Sequence, residues 1–258
     1  MKNKGCRKKD PRAARAILIH SVADFLKISK YPYAYYELAT DLDMEGLPMI
    51  SLSRVKFRGI LDGNGKTIKN LKIRDHHAIR SGLFGLIEAG ATIKNLHLND
   101  ISVTGMGSVG VIAGENKGNI VGCTVSDALV QGYYTVGVIA GSNSRGGQIK
   151  NCVATGTALG NIDIGGIVGN NLVNARITNC IYGGKLCGIE NVGGISGQNH
   201  GEIAFCHSQS EIKSQKIAGK LVGLNRGNVK LNGSGCLQQH YNKVLIFSEL
   251  VGRNWVVL

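Results

Sequence analysis

The chain has 258 residues and a formal net charge of +13, and its length suits one large domain or two small ones. Glycine is abundant (37 residues), proline is rare (3) and apolar residues make up 43%, which disfavours collagen and proline-rich disorder and allows a buried core. No segment approaches the roughly 18 uninterrupted apolar residues of a membrane span, so we expect none.

The N-terminal part is predicted to consist of a tail and a cap. Residues 1–15 are strongly basic and lack periodicity, so we expect disorder there. The apolar run that follows is short and has no small-residue cleavage site, which predicts a protein that is cytoplasmic or exported without a cleaved leader. Residues 16–56 are predicted to cap the fold, with helical spacing of apolar residues over 13–28 and extended chain over 31–50.

A basic stripe is predicted next, because residues 54–80 hold eight basic residues against two acidic ones. Such a stripe favours an anionic glycan as partner. Specific nucleic-acid recognition is not favoured, because aromatic side chains for base stacking make up only 5% of the chain. The predicted binding residues are Arg54, Lys56, Arg58, Lys66, Lys69, Lys72 and Arg74.

The same region contains the most suggestive polar cluster, IRDHHAIR, in a predicted loop. An acid–base site is chemically possible here, formed by Asp75 with His76 or His77 and with Arg80 nearby. A solvated loop is the simpler interpretation. No cofactor and no metal site are predicted. The segment GILDGNGKT lacks the spacing of a phosphate-binding loop, and no paired-histidine zinc motif is present.

Glycine-rich repeats occupy residues 57–237. Five eight-residue segments align, and their second-position glycines lie 26–28 residues apart. A fixed period in this range predicts a solenoid, and about 27 residues suffice for three short strands and three turns of a parallel β-helix. The segments are VGVIAGEN from Val109, VGVIAGSN from Val136, IGGIVGNN from Ile164, VGGISGQN from Val192 and AGKLVGLN from Ala218.

Within each segment, the second, fourth, sixth and eighth positions are nearly uniform, whereas the third and seventh vary. Because strand side chains alternate between faces, we predict that the uniform set points inward and the varied set lies in solvent. Two structural ladders follow. The eighth position predicts an asparagine ladder, and a second landmark predicts an inward column of free thiols. The ladder residues are Asn116, Asn143, Asn171, Asn199 and Asn225, and the thiols are Cys123, Cys152, Cys180 and Cys206.

The last segment, residues 238–258, departs from the repeat and is rich in apolar residues. We predict that it caps the last coil or contacts a partner, and a homo-oligomer formed through it is one such arrangement.

The repeats resemble those of the GLUG-repeat family, and the similarity extends over residues 20–230. FRGILDGNGKTIKNLKI at residues 57–73 resembles the coil that often precedes the repeats. The resemblance implies an all-β, right-handed parallel β-helix of pectate-lyase type, here with a short N-terminal helical cap. Family members occur mainly as parts of bacterial surface proteins, adhesins and IgA-cleaving peptidases, where the repeats form a stalk or binding surface.

These observations favour a non-enzymatic binding or adhesion module that contacts a glycan or a protein through flat strand faces. Two alternatives remain open. One is a polysaccharide lyase or hydrolase that uses the Asp75–Arg80 loop. The other is an intracellular effector or inhibitor that blocks a host or bacterial protein with its basic end.

Overall fold

The computed structural model describes residues 15–47, 52–231 and 236–238. It is a right-handed parallel β-solenoid of about seven turns with about 28 residues per turn, which confirms the predicted fold class. Residues 1–14 and 239–258, and with them almost all of the predicted tail and C-terminal cap, lie outside the described residues.

The chain opens with β1 (Ile17–Ile19), α1 (Val22–Leu26), a 3-10 turn (Lys27–Ser29), β2 (Tyr35–Leu38), β3 (Leu42–Asp43) and β4 (Leu52–Phe57). The next two coils contain β5 (Ile60–Asp62), β6 (Thr67–Lys69), β7 (Lys72–Asp75), β8 (Arg80–Ser81), β9 (Phe84–Ile87), β10 (Thr92–Lys94), β11 (His97–Asn99), β12 (Ser102–Gly105), β13 (Ser108–Val109) and β14 (Ala113–Asn116).

Two more coils follow with β15 (Asn119–Val121), β16 (Thr124–Gln131), β17 (Thr135–Gly137), β18 (Ala140–Asn143), β19 (Gln148–Lys150), β20 (Val153–Leu159), β21 (Ile162–Gly165) and β22 (Val168–Asn171). The final coils contain β23 (Arg176–Thr178), β24 (Ile181–Gly188), β25 (Glu190–Gly193), β26 (Ser196–Asn199), β27 (Glu202–Ala204), β28 (His207–Ser208), β29 (Glu211–Ser214), β30 (Ala218–Gly219), β31 (Val222–Asn225), β32 (Asn228–Lys230) and β33 (Cys236–Gln238).

Each coil passes through four sheets, numbered here in the order in which the chain visits them. The first sheet has the order β1-β2-β5-β10-β15-β19-β23-β27-β32-β33, and the second has β3-β6-β11-β16-β20-β24-β28, with β7 and β12 continuing β6 and β11 and β29 continuing β28. The third is β8-β13-β17-β21-β25-β30, and the fourth is β4-β9-β14-β18-β22-β26-β31. Pairing is parallel except that β33 runs antiparallel to β32, and the register shifts in two pairs, β16 with β20 and β4 with β9.

The predicted N-terminal helix is shorter than its apolar spacing indicates. Ile17–Ile19 forms β1, which pairs with β2, so only five residues remain helical in α1. Pairing with an open sheet edge has overridden local helical preference at this point. Phe25 and Ile28 are fully buried, so the short helical segment still covers apolar side chains at the end of the solenoid.

The eight-residue repeat is not one strand, and the prediction that its third position faces solvent is wrong for four of the five repeats. Val111 and Val138 occupy that position and are fully buried, Gly166 and Gly194 are buried as well, and only Lys220 is exposed. The chain bends between the third and fourth sheets at this point, for example between β13 and β14, so simple alternation does not continue through the repeat. At the sixth position, a Cβ on Gly114 would lie 2.5 Å from Arg80 Cβ, so glycine lets the two sheets touch.

Left-handed residues mark the corner between the first and second sheets. Asparagine fills most of these positions because its side chain tolerates positive φ better than other non-glycine side chains. Phe205, half exposed and with a φ of 58°, replaces it in the last coil. The corner residues are Asn95, Gly122, Asn151, Asn179 and Phe205.

Candidate functional site

Large exposed apolar side chains lie in one row at the corner between the second and third sheets. We call this row the aromatic corner, formed by Ile79, Met106, Tyr133 and Tyr134, which are 76%, 54%, 46% and 50% exposed. The four come from three consecutive coils. The tyrosine rings meet edge to face, with centroids 4.7 Å apart and planes at 70°, which is a favourable aromatic arrangement.

Backbone hydrogen bonds between coils hold this row in place. Ser108 N donates to Ile79 O at 2.8 Å, and both Tyr133 N and Tyr134 N lie 3.3 Å from Met106 O. Gly107 permits the close stacking, because a Cβ there would lie only 2.2 Å from Ile79 O. The aromatic corner is therefore a row of side chains on a rigid scaffold, as binding residues often are.

The predicted acid–base loop adjoins the aromatic corner, but its groups do not form a catalytic pair. Asp75 Oδ1 accepts hydrogen bonds from His77 N at 3.2 Å and Ala78 N at 3.0 Å, so the carboxylate shapes the turn. His76 and His77 are exposed. Arg80 is directed to another coil, where its Nε donates to Glu115 Oε2 at 2.6 Å.

The Glu115 carboxylate has three polar partners from neighbouring coils and its own. It accepts from Ser144 Oγ at 2.7 Å as well as from Arg80, and Lys117 Nζ lies 3.4 Å away. Burial opposes ionisation, but the Ser144 hydrogen bond and the Arg80 charge together hold the pKa of Glu115 below its ordinary value. This cluster is a structural tie between coils.

The predicted basic stripe is divided between two faces. Arg54 and Lys56 are exposed on β4 of the fourth sheet, and Lys72 and Arg74 are exposed on β7 of the second. Some of the charge is also paired, since Lys69 Nζ lies 3.0 Å from Asp43 Oδ2 and Arg58 lies 3.8 Å from Glu88. Lys66 lies in the turn before β6 and is half-buried. Of these residues, Arg74 lies closest in sequence to the aromatic corner.

The two predicted ladders occupy the interior. Successive asparagine amides, from Asn116 to Asn225, are joined by four Nδ2–Oδ1 hydrogen bonds of 2.8–3.0 Å, and the first four residues are fully buried. Cys123, Cys152, Cys180 and Cys206 are free thiols in one buried column. Both sets support the fold and offer no contact surface.

Other features of the described residues add no further site. No cluster of three or more His, Cys, Asp or Glu side chains in that part of the chain is arranged to hold a metal ion. No helix there has the length and apolar character needed to cross a bilayer. A shallow depression of about 370 Å³ lies at the turns between the fourth and first sheets, lined by residues such as Val173, Arg176 and Glu202.

Sequence reasoning missed the aromatic corner. No motif is shared by Ile79, Met106, Tyr133 and Tyr134, and the three connections that hold them differ in length. The repeat period could have indicated this row. When the coils are in register, the connections that follow the second-sheet strands stack on one another.

Comparison with known proteins agrees with this architecture. The sequence profile of the GLUG motif matches residues 132–158, which include both corner tyrosines, and confirms the resemblance to the GLUG-repeat family. Halomucin of Haloquadratum walsbyi is 37% identical over 109 residues, which is 38% of this chain but 1% of halomucin. The crystal structure of a candidate immunoglobulin A1 protease from Bacteroides ovatus superposes with a TM-score of 0.67 at 21% identity, over 88% of this chain and 80% of that one. This second similarity concerns the fold.

Proposed function

We propose that this chain is a non-enzymatic binding module of the adhesion type, which holds an extended anionic polysaccharide along its aromatic corner. The observation that carries the proposal is the row of Ile79, Met106, Tyr133 and Tyr134, all exposed on consecutive coils of a rigid solenoid. Contiguous exposed apolar patches of this kind typically mark interaction sites.

The spacing of the row suits a linear sugar polymer. Neighbouring coils of a β-solenoid are about 4.8 Å apart, a distance comparable to the length of one sugar unit in an extended chain. A glycan that runs parallel to the solenoid axis therefore presents one unit to each coil. The apolar C–H faces of its rings stack on Tyr133 and Tyr134, whose planes differ by 70° and offer faces in two directions.

The surrounding charge favours an acidic glycan. Arg74 is exposed on the strand that precedes the row, and the whole chain carries +13 with its histidines neutral. Positive potential near an apolar contact raises both the local concentration and the association rate of an anionic polymer. In this proposal the glycan contacts the corner. The flat strand faces, which the sequence indicated as the contact surface, hold the corner in position.

The test measures binding of the full chain to immobilised polygalacturonate, alginate and neutral dextran at low and high salt. The Tyr133→Ala/Tyr134→Ala variant should bind polygalacturonate at least tenfold more weakly, because each stacked ring contributes about 1 kcal/mol. Tyr31→Ala/Tyr33→Ala is the matched control, since it removes two exposed tyrosines, 51% and 62% exposed, from the N-terminal region. That control should bind like the wild type.

Three outcomes would overturn the proposal. If the wild type binds none of the polysaccharides, the corner does not hold an anionic glycan and the search turns to protein partners. If binding vanishes entirely at high salt, it reflects unspecific attraction to a cationic chain, because stacking contacts resist screening. If polygalacturonate is cleaved and cleavage is lost in Asp75→Ala or His76→Ala, the lyase or hydrolase alternative is correct.

A further inference from the structure

A second polar feature runs along the solenoid, independent of the aromatic corner. Outward side chains of the third and fourth sheets face each other across a narrow line, which we call the polar seam. In its first coils the seam is closed by direct contacts, namely Arg80 with Glu115 at 2.6 Å and Ser108 Oγ with Ser142 Oγ at 2.9 Å. Its members are Arg80, Ser108, Thr135, Asp163 and Asn191 of the third sheet and Glu115, Ser142, Asn170 and Gln198 of the fourth.

Around Asp163 the seam contains a carboxylate that is not paired with a basic side chain of the described residues. Asp163 Oδ1 accepts from Asn191 Nδ2 at 2.8 Å, and no lysine or arginine of the described residues forms an ion pair with this carboxylate. Burial raises the pKa of Asp163, and the nearby Glu190 charge adds to this effect, against the Asn191 hydrogen bond and His200. The carboxylate therefore lacks the cation that Glu115 has in Arg80.

Two amide oxygens next to it also lack donors. Asn191 is 6% exposed and its Oδ1 has no hydrogen-bond partner. Asn170 donates from Nδ2 to Gln198 Oε1 at 3.0 Å, which leaves its own buried Oδ1 without a partner. Buried polar atoms are nearly always satisfied by protein, water or an ion, so unsatisfied oxygens on two residues that adjoin Asp163 indicate a site for a bound partner.

Glycine contacts bring the main chain of the fourth sheet against that of Asp163. A Cβ on Gly169 would lie 2.6 Å from Asp163 O, and one on Gly197 would lie 2.4 Å from Asp163 C. The next residues along the chain, Asn170 and Gln198, are thus held beside Asp163. Both Asp163 and Asn191 have a left-handed backbone, with φ of 55° and 56°, a conformation that Asp and Asn tolerate.

We infer that Asp163, with the amide oxygens of Asn170 and Asn191, forms a binding site for a hard divalent cation, represented by Ca²⁺. Carboxylate and amide oxygens are the donors that Ca²⁺ takes in proteins, and a site with one carboxylate belongs with weak extracellular sites of Kd on the order of 10⁻⁴ to 10⁻³ M. Asp163 remains partly open to solvent, which gives the ion a route in. The site adds a metal that the sequence did not predict.

The experiment measures the Tm of the full chain in Ca²⁺ titrated from zero to about 10 mM, a range that saturates a site of this class, at constant ionic strength. The wild type should show a saturable rise in Tm, and Asp163→Asn should show none. Asp127→Asn is the matched control, because Asp127 also has a left-handed backbone, with φ of 53°, and accepts from an asparagine, Asn99 Nδ2 at 3.2 Å, but is exposed. Its Ca²⁺ response should equal that of the wild type.

A second variant keeps the proposal testable if Asp163→Asn fails to fold. Asn191→Asp places two carboxylates together, so it should lower Tm without Ca²⁺, restore it with Ca²⁺ and reduce the half-saturating concentration about tenfold through the added ligand charge. A wild type without a Tm response, an Asp163→Asn variant that responds normally, or an Asn191→Asp variant with unchanged half-saturation would each overturn the proposal.

Discussion

Replacing the central ladder asparagine, Asn143→Ala, should be among the most damaging single changes in the solenoid. Asn143 accepts from Asn116 Nδ2 at 2.9 Å and donates to Asn171 Oδ1 at 3.0 Å and to Arg176 O at 3.2 Å, and it is fully buried. Alanine removes these bonds and leaves Asn171 Oδ1 without its ladder donor. Because an unsatisfied buried group costs about 1–3 kcal/mol and each lost bond about 1 kcal/mol, we expect a loss of about 3 kcal/mol.

The ladder contains its own control. Asn225 is its last member, is half-buried and makes one ladder bond, accepted from Asn199 at 2.8 Å, so Asn225→Ala should cost about 1 kcal/mol. Urea unfolding of both variants, monitored by circular dichroism, gives the two free energies of unfolding. An unchanged m-value shows that unfolding has remained cooperative. Equal losses for Asn143→Ala and Asn225→Ala, or a loss below about 1 kcal/mol for Asn143→Ala, would refute the view that the ladder is cooperative and buried.

Two further predictions concern titratable groups of the scaffold. Glu115→Gln should flatten the acid dependence of stability. The folded-state pKa of Glu115 lies below its ordinary value of 4.5, so the wild type loses this contribution as the pH falls below 4.5, whereas the variant lacks it; identical urea titrations on both sides of that pH would contradict this. Iodoacetamide under native conditions should modify the half-buried Cys187 before Cys123 or Cys180, because hydrogen bonding to Cys152 and burial raise the pKa of both column thiols. Peptide mass spectrometry with equal labelling rates would show this to be wrong.

Periodicity predicted the solenoid, and the resemblance to the GLUG-repeat family supplied its handedness. Repeats of constant length must place equivalent residues above one another, so the asparagine positions and the thiol positions could be located without coordinates. The alternation of inward and outward residues within the eight-residue repeat was a less reliable guide. It predicts that Val111 and Val138 lie in solvent, because it assumes one continuous strand where the chain bends between two sheets.

The candidate site could be predicted only in part. The sequence singled out the Asp75–Arg80 region, but residues that are close in the chain need not have side chains that meet, since Arg80 reaches Glu115, 35 residues away. The residues of the predicted basic stripe are separated for a related reason. Charges that are close in sequence are divided between faces when the chain turns three or four times per coil.

What the sequence by itself determined is therefore the repeat, because a period is a property of the chain. What only the tertiary structure decided is which connections lie side by side and which polar groups remain unpaired. Met106 and Tyr133 become neighbours, and Asp163 faces Asn191 without a cation, only after successive coils are in register. These contacts join residues about one coil apart, whose types no local pattern constrains, and they form the two surfaces on which both proposals rest.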